Sequence, residues 1–202
     1  MNATLTEEIA VSAARLVVEE GMEYAAAKQR AARDLGRRSV RSAELPSNEQ
    51  LEDEIREHIA LFCADTQPAE LQALRQVALQ WMQRLAEFRP HLSGAVWRGT
   101  ATRLSAVRLD LYCDDPKGAE ISLLNAGVDY DVGSVMRHGA EPLNVLTVGT
   151  RSPALASHDI VSVHLFLRDL DEQRGALKPD AQGRSWRGDL AALQRLMAQG
   201  AA

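Results

Sequence analysis

The sequence predicts an α+β fold in which a helical section at residues 1–90 precedes a small mixed β-sheet domain at residues 91–202. Two observations support this prediction. Apolar residues recur with a helical period up to about residue 88, and the period changes toward two from about residue 94. Apolar residues make up 46% of the chain and charged residues 25%, which is typical of a globular protein.

Capping signals predict where the N-terminal helices begin. Thr4 with Glu7, and Ser47 with Gln50, have the spacing of capping boxes, in which two side chains satisfy free backbone amides at the start of a helix. The four predicted helices cover residues 4–20, 22–35, 47–62 and 66–88. We expect the fourth helix to pack on the sheet, so that the two sections share one core.

The C-terminal half alternates between short apolar runs and turn residues, which indicates a sheet. The predicted strands cover residues 95–99, 106–113, 128–136, 143–149 and 159–168. A short helix is predicted at residues 116–126, a polar loop at residues 169–188 and a C-terminal helix at residues 189–199.

The composition excludes several classes of protein. A net charge of −5 argues against a protein that coats nucleic acid or anionic membrane along its whole surface. No run approaches the roughly 20 apolar residues of a membrane span, and the first residues lack the basic start and apolar run of a leader. Cys63 and Cys113 lie far apart in the sequence and lack the spacing of metal ligands. We therefore expect both to be reduced thiols. We therefore expect a cytoplasmic protein without a membrane partner.

The segment from Gly94 to Asp115 carries the most specific motif of the chain. It contains Gly99-Thr100 and then Ser105-Ala106-Val107-Arg108-Leu109. This pattern resembles the signature of the nucleotidyltransferase-fold superfamily. In that signature a strand is followed by Gly-Ser or Gly-Thr, then by a loop, and then by Ser-Asp-hydrophobe-Asp-hydrophobe. The helical half is similar to a group of uncharacterised proteobacterial nucleotidyltransferase-like proteins. The resemblance implies a nucleotidyltransferase-like topology and a phosphate-binding role for Gly99, Thr100 and Ser105.

The chain departs from the signature at the two positions that hold metal-binding acids in the family. Ala106 and Arg108 stand there, and neither offers the oxygen ligands that Mg²⁺ requires. The first hypothesis is therefore a binding or regulatory module that has a degenerate active site and uses no cofactor. It requires that the residues around Trp97 and Leu109 form neighbouring strands joined by a glycine turn.

A second hypothesis keeps catalysis by using other acids. Asp110 lies on the same face of its strand as Arg108, and Asp129 and Asp131 share one face of the next predicted strand. If Asp110 and one of this pair approached each other, they could hold Mg²⁺ for nucleotidyl transfer. The catalytic residues would then be Asp110, Asp129 and Asp131.

A third hypothesis is an interaction domain for protein or nucleic acid. One segment of the helical half is rich in cations and contains only one acid, Asp34. Such an asymmetry in an acidic protein indicates a polyanion-contacting surface. Some of its cations recur at helical steps and would form one ridge if the helix continued past Gly36. The segment's cations are Lys28, Arg30, Arg33, Arg37, Arg38 and Arg41. The sequence names neither a substrate nor an oligomeric state.

Overall fold

A computed structural model describes residues 4–37, 41, 44–137, 140–155, 160–179, 183 and 185–200. Its helices are α1 Leu5–Glu20, α2 Tyr24–Asp34, α3 Asn48–Phe62, α4 Gln67–Arg84, α5 Gly94–Arg98, α6 Pro116–Asn125 and α7 Leu190–Gln199. Its strands are β1 His91–Ser93, β2 Val107–Cys113, β3 Asp131–Arg137, β4 Ala140–Arg151, β5 Ile160–Asp169 and β6 Arg187–Gly188. The α+β class, the N-terminal helices and the C-terminal helix are thus confirmed. Within the described residues, no helix has both the length and the apolar character needed to cross a membrane.

The chain divides into two compact units. The first comprises Met1–Ala69 and Thr100–Ser105, and the second comprises Glu70–Gly99 and Ala106–Ala202. The boundary of this division falls at residue 70, near the start of α4. Most of α4 belongs to the unit that contains the sheet.

The first unit is held by apolar faces of α1, α2 and α3. Both predicted capping boxes are present, with Glu7 and Gln50 each bonded back to the residue that caps its helix. Gly21 adopts a left-handed conformation at the end of α1, with φ 68°. Alanines on α2 let the helices approach closely. The buried core consists of Ile9, Ala13, Ala14, Leu16, Val17, Val18, Ala27, Ala31, Ala32, Leu51, Ile55 and Ile59.

The second unit contains a six-stranded sheet with the strand order β3-β4-β5-β2-β1-β6. β2 and β5 pair in parallel, whereas the other neighbours pair antiparallel. Because side chains alternate along a strand, β2 and β5 present two different faces. One face is apolar and buried: Val107, Leu109, Leu111, Val163, Leu165 and Leu167. The other, here called the polar face, carries Arg108, Asp110, Tyr112, His164, Phe166 and Arg168.

The predicted strand at residues 95–99 is wrong. This segment is helix α5, and the strand before it is β1, where Leu92 pairs with Leu109. Val96 and Trp97 favour a strand locally, but tertiary contacts stabilise a helix here. Val96 is fully buried, and the Trp97 indole donates to the Ser185 carbonyl at 2.8 Å. The neighbouring strands that the first hypothesis requires therefore do not include Trp97.

A glycine does stand directly after the shifted strand. Gly94 follows β1 with φ 72°, in the left-handed region that favours glycine. Gly99, at φ 82°, instead ends α5. The arrangement is thus strand, glycine, short helix, glycine and strand, rather than two strands joined by one tight turn.

The segment predicted as a loop at residues 169–188 contains two elements that periodicity did not reveal. A short 3-10 helix, Leu170–Gln173, follows β5, and β6 extends the sheet beyond β1. Both are too short for a period to be recognised.

Candidate functional site

Asp110 lies at the centre of an ion-pair network on the polar face. Its side chain is only 3% exposed, and both of its oxygens are paired with arginines. Arg168 Nε lies 2.5 Å from Oδ1, and Arg187 Nη1 lies 3.3 Å from Oδ2. Arg187 Nη1 also donates to the Tyr112 hydroxyl at 2.6 Å. A carboxylate bound in this way is neutralised by guanidinium groups rather than by a metal ion.

The network continues from Arg168 toward the end of the sheet. Arg168 Nη1 donates to Glu172 Oε2 at 2.9 Å, and Arg137 Nη1 donates to Glu172 Oε1 at 2.8 Å. Glu172 therefore joins β5, through Arg168, to β3, through Arg137. We call these residues the polar-face network: Asp110, Tyr112, Arg137, Arg168, Glu172 and Arg187.

The network changes the protonation of its members. Burial acts to raise the pKa of Glu172, but the hydrogen bonds from Arg137 and Arg168 outweigh burial and hold this pKa below its ordinary value. Burial raises the pKa of Tyr112, against the opposing effect of Arg187. Glu172 is thus an anion and Tyr112 a neutral phenol at neutral pH.

Arg108 adds a further cation beside the network. Its guanidinium lies over the Phe166 ring at 4.6 Å from the ring centre, a cation–π geometry. The stem of Arg108 passes so close to Gly94 that a Cβ there would lie 2.9 Å from Arg108 Cδ. The described polar face therefore carries Arg108 and the three network arginines against the acids Asp110 and Glu172, and against Asp131, which the register places on the same face at β3.

The structure does not bring Asp110 and Asp131 together. β3 and β2 are separated by β4 and β5, so three interstrand steps place the strands roughly 14 Å apart. Asp129 is exposed just before β3. The register runs across the sheet from Asp131 to Thr147, His164 and Arg108. The shared Mg²⁺ site of the second hypothesis is therefore not formed, and the acids do not fit the metal.

Other acids do not complete a metal site in the described part of the chain. Asp115, which follows β2, caps α6 by accepting from the Lys117 amide at 2.9 Å. Among the described residues, no group of three or more His, Cys, Asp or Glu side chains is arranged to hold a metal ion.

Gly99, Thr100 and Ser105 do not present a common phosphate cradle. The Gly99 amide donates to the Ala95 carbonyl as the cap of α5. Thr100 is 2% exposed, so its hydroxyl is not on the surface. Ser105 Oγ accepts from the Thr102 amide at 3.0 Å and closes its own loop. Gly99 belongs to the second unit, whereas Thr100 and Ser105 belong to the first.

The predicted basic segment is split by the fold. Lys28 is buried, and its Nζ donates to the Pro46 carbonyl at 2.6 Å and to Asn48 Oδ1 at 2.8 Å. Arg30 pairs with Glu20 at 2.6 Å. α2 ends at Asp34, so the helix does not continue past Gly36 and the continuous ridge does not form. Arg33, Arg37 and Arg41 are exposed, and Arg38 lies outside the described residues.

Sequence reasoning missed most of the polar-face network. Tyr112 could have been found, since it lies two residues after Asp110 on the same strand. Arg168 and Glu172 have the i, i+4 spacing of an ion pair on a helix. The sequence predicted the end of a strand at this point, so the spacing did not indicate a pair. No sequence signal brings Arg187 to Asp110, because that contact depends on β6 pairing with β1.

Comparisons with known proteins add no assignment. No protein-family model, curated protein or solved structure matches this chain.

Proposed function

We propose that this chain is a binding module, which holds a phosphate-bearing ligand such as a nucleotide without metal-dependent transfer. The observation that carries the proposal is the pairing of both Asp110 oxygens with Arg168 and Arg187. These guanidinium groups engage the oxygens that Asp110 would need free in order to bind a metal ion. The two free thiols, Cys63 and Cys113, accord with a cytoplasmic location.

The charge of the polar face supports an anionic ligand. Arg108 and the network arginines exceed the acids of this face, and guanidinium groups bind phosphate oxygens through paired N–H donors. Arg108 is half-buried, and the Phe166 ring holds its guanidinium in one place. The strand–glycine–helix unit around Gly94 is not the strand–turn–strand unit that the resemblance predicts, so support for an anionic ligand comes from the charge of the polar face.

Titration calorimetry with ATP tests the proposal. We expect saturable binding that is equal in EDTA and in Mg²⁺, with no release of pyrophosphate on prolonged incubation. Arg108→Ala should weaken binding about tenfold, which corresponds to one lost charge-assisted contact. Arg195→Ala, which removes an exposed arginine from α7, is the matched control and should leave the affinity unchanged.

Two results would overturn the proposal. Binding that requires Mg²⁺ and is abolished by Asp110→Asn would restore the catalytic hypothesis. An affinity for ATP that Arg108→Ala does not change would remove the polar face as the ligand site.

A further inference from the structure

A groove in the second unit, separate from the polar-face network, carries a second surplus of cations. It has a volume of about 720 Å³ and lies beside the start of β1 and the 3-10 helix Leu170–Gln173. Its charged lining consists of Arg89, Arg174 and Lys178 against the single acid Asp171. This volume lies in the range of small-molecule sites, roughly 300–1,000 Å³.

The groove continues into an apolar recess. The recess has a volume of about 240 Å³ and shares Arg89, His91, Gln173 and Leu177 with the groove. Its other walls are mostly apolar: Met82, Ala86, Pro90 and Leu190, with Asp189. Asp189 is already engaged, because its Oδ1 accepts from the Ala192 amide at 2.8 Å to cap α7. The combined cavity therefore has a cationic mouth and a compact apolar end.

Arg89 is held in an unfavourable backbone conformation at the junction of the two cavities. It has φ 47°, and it is the one non-glycine residue with positive φ in the described ranges. It ends the 3-10 helix Ala86–Phe88, a position that glycine fills without strain. Its guanidinium donates to Gln173 Oε1 at 3.2 Å across the groove. The Gln173 contact holds the Arg89 guanidinium at the groove, and its backbone is held in a conformation that non-glycine residues rarely adopt.

His91 adds a fixed polar group to the same junction. It is 4% exposed, and its Nδ1 lies 2.8 Å from the Arg89 carbonyl oxygen. Because a carbonyl only accepts, Nδ1 carries the proton of this hydrogen bond. The His91 ring also packs edge-on against Tyr112 at 5.0 Å, so the groove adjoins the polar-face network.

We propose that this groove binds a phosphate monoester that carries a flat aromatic base, of the kind that a nucleoside monophosphate offers. Arg89, Arg174 and Lys178 hold the phosphate, and the recess beside Ala86 takes the base. The groove adjoins the polar-face site proposed above but uses none of its arginines, so its test uses different variants.

Titration calorimetry on the full chain with AMP, inorganic phosphate and adenosine tests this site. We expect AMP to bind at least tenfold more tightly than either fragment, because only AMP fills both parts. Lys178→Glu and Arg174→Glu, at exposed positions, should each weaken AMP at least tenfold. Lys117→Glu is the matched control, since it makes the same charge change on α6 outside the groove, and should leave AMP binding unchanged.

A recess variant separates the two halves of the proposal. Ala86→Phe should fill the recess, weaken AMP to the level of inorganic phosphate and leave inorganic phosphate unaffected. The proposal is overturned if AMP gives no saturable heat, if Lys178→Glu behaves like Lys117→Glu, or if Ala86→Phe leaves AMP unchanged. Binding of AMP that Arg108→Ala abolishes and Lys178→Glu does not would assign the ligand to the polar face instead.

Discussion

Asp110 on β2 and Arg168 on β5 form a buried ion pair although they are not opposite each other in the parallel register. Arg168 lies opposite Tyr112, and its side chain reaches back to Asp110 at 2.5 Å. Arg187 approaches the same carboxylate from β6. Asp110 thus connects strands on both sides of β2, and its first role is structural.

Asp110→Asn should destabilise the protein. The substitution keeps the size of the side chain but leaves Arg187 without its counter-charge and Arg168 with Glu172 alone. Breaking a buried pair costs about 3 kcal/mol. Urea unfolding followed by circular dichroism measures the loss. Asp129→Asn, at an exposed position before β3, is the control and should change stability by less than about 0.5 kcal/mol. Equal stabilities of the two variants would contradict a structural role for the pair.

Stability should fall in acid partly because of Glu172. Its pKa is lower in the folded protein than its ordinary value of 4.5, so the folded state favours the carboxylate. This contribution is complete above the unfolded pKa and is lost as the pH falls through the lower folded pKa. Unfolding free energies measured between pH 7 and pH 3 should therefore decline more steeply for the wild type than for Glu172→Gln. Parallel pH profiles would show that Arg137 and Arg168 do not hold this carboxylate.

Gly188→Ala should destabilise the sheet edge formed by β6. A Cβ at this position would lie 2.1 Å from the Trp97 ring, and the ring is fixed by its bond to Ser185. Overpacking of this kind costs about 1–3 kcal/mol. Gly200→Ala is the control, since a Cβ there meets nothing closer than 3.7 Å. Thermal unfolding of both variants, with Trp fluorescence as the probe, compares them; a melting temperature for Gly188→Ala equal to the control's would refute the contact.

The sequence predicted the fold where local signals and burial agree. The capping boxes at Thr4 and Ser47 depend on residues three apart, and the apolar runs of β2 and β5 are long enough to show their period. The segment around Trp97 failed because its residues favour a strand locally while their tertiary contacts stabilise a helix. The burial of Lys28 likewise depends on residues distant in sequence, Pro46 and Asn48.

The candidate site was predictable only in part. Asp110 was selected from its strand position, but its partners Arg168 and Arg187 come from β5 and β6, whose pairing with β2 and β1 no local pattern specifies. Asp129 and Asp131 were expected to approach Asp110 from the next strand along the chain. That expectation failed because sequence order does not give the strand order of a mixed sheet. The groove at Arg89 depends on a backbone conformation that sequence does not reveal.

Cys113 should be the slower of the two thiols to react with alkylating reagents. Burial raises its pKa, and the nearby Asp115, Asp169 and Asp114 act in the same direction, so the reactive thiolate is scarce. Cys113 is buried and Cys63 is half-buried. Mass spectrometry after timed iodoacetamide treatment at pH 8 should find Cys63 modified first. Modification of Cys113 at an equal rate would contradict its burial at the end of β2.

Lys28 distinguishes a structural role from a polyanion-binding role within the basic segment. Its ammonium is buried, which lowers its pKa against the raising effect of Glu49, and it donates to the Pro46 carbonyl and to Asn48. Lys28→Met keeps the apolar stem but leaves these acceptors without a donor, which should cost about 1–3 kcal/mol of unfolding free energy. Arg33→Met, at an exposed position on α2, should cost less than about 0.5 kcal/mol.

If the segment binds a polyanion, the order of the two variants reverses in a heparin-binding salt series. Arg33→Met should reduce the salt dependence by about one unit of slope, and Lys28→Met should leave it unchanged. A large effect of Lys28→Met on that slope, with no loss of stability, would show that its ammonium faces the ligand rather than the protein interior.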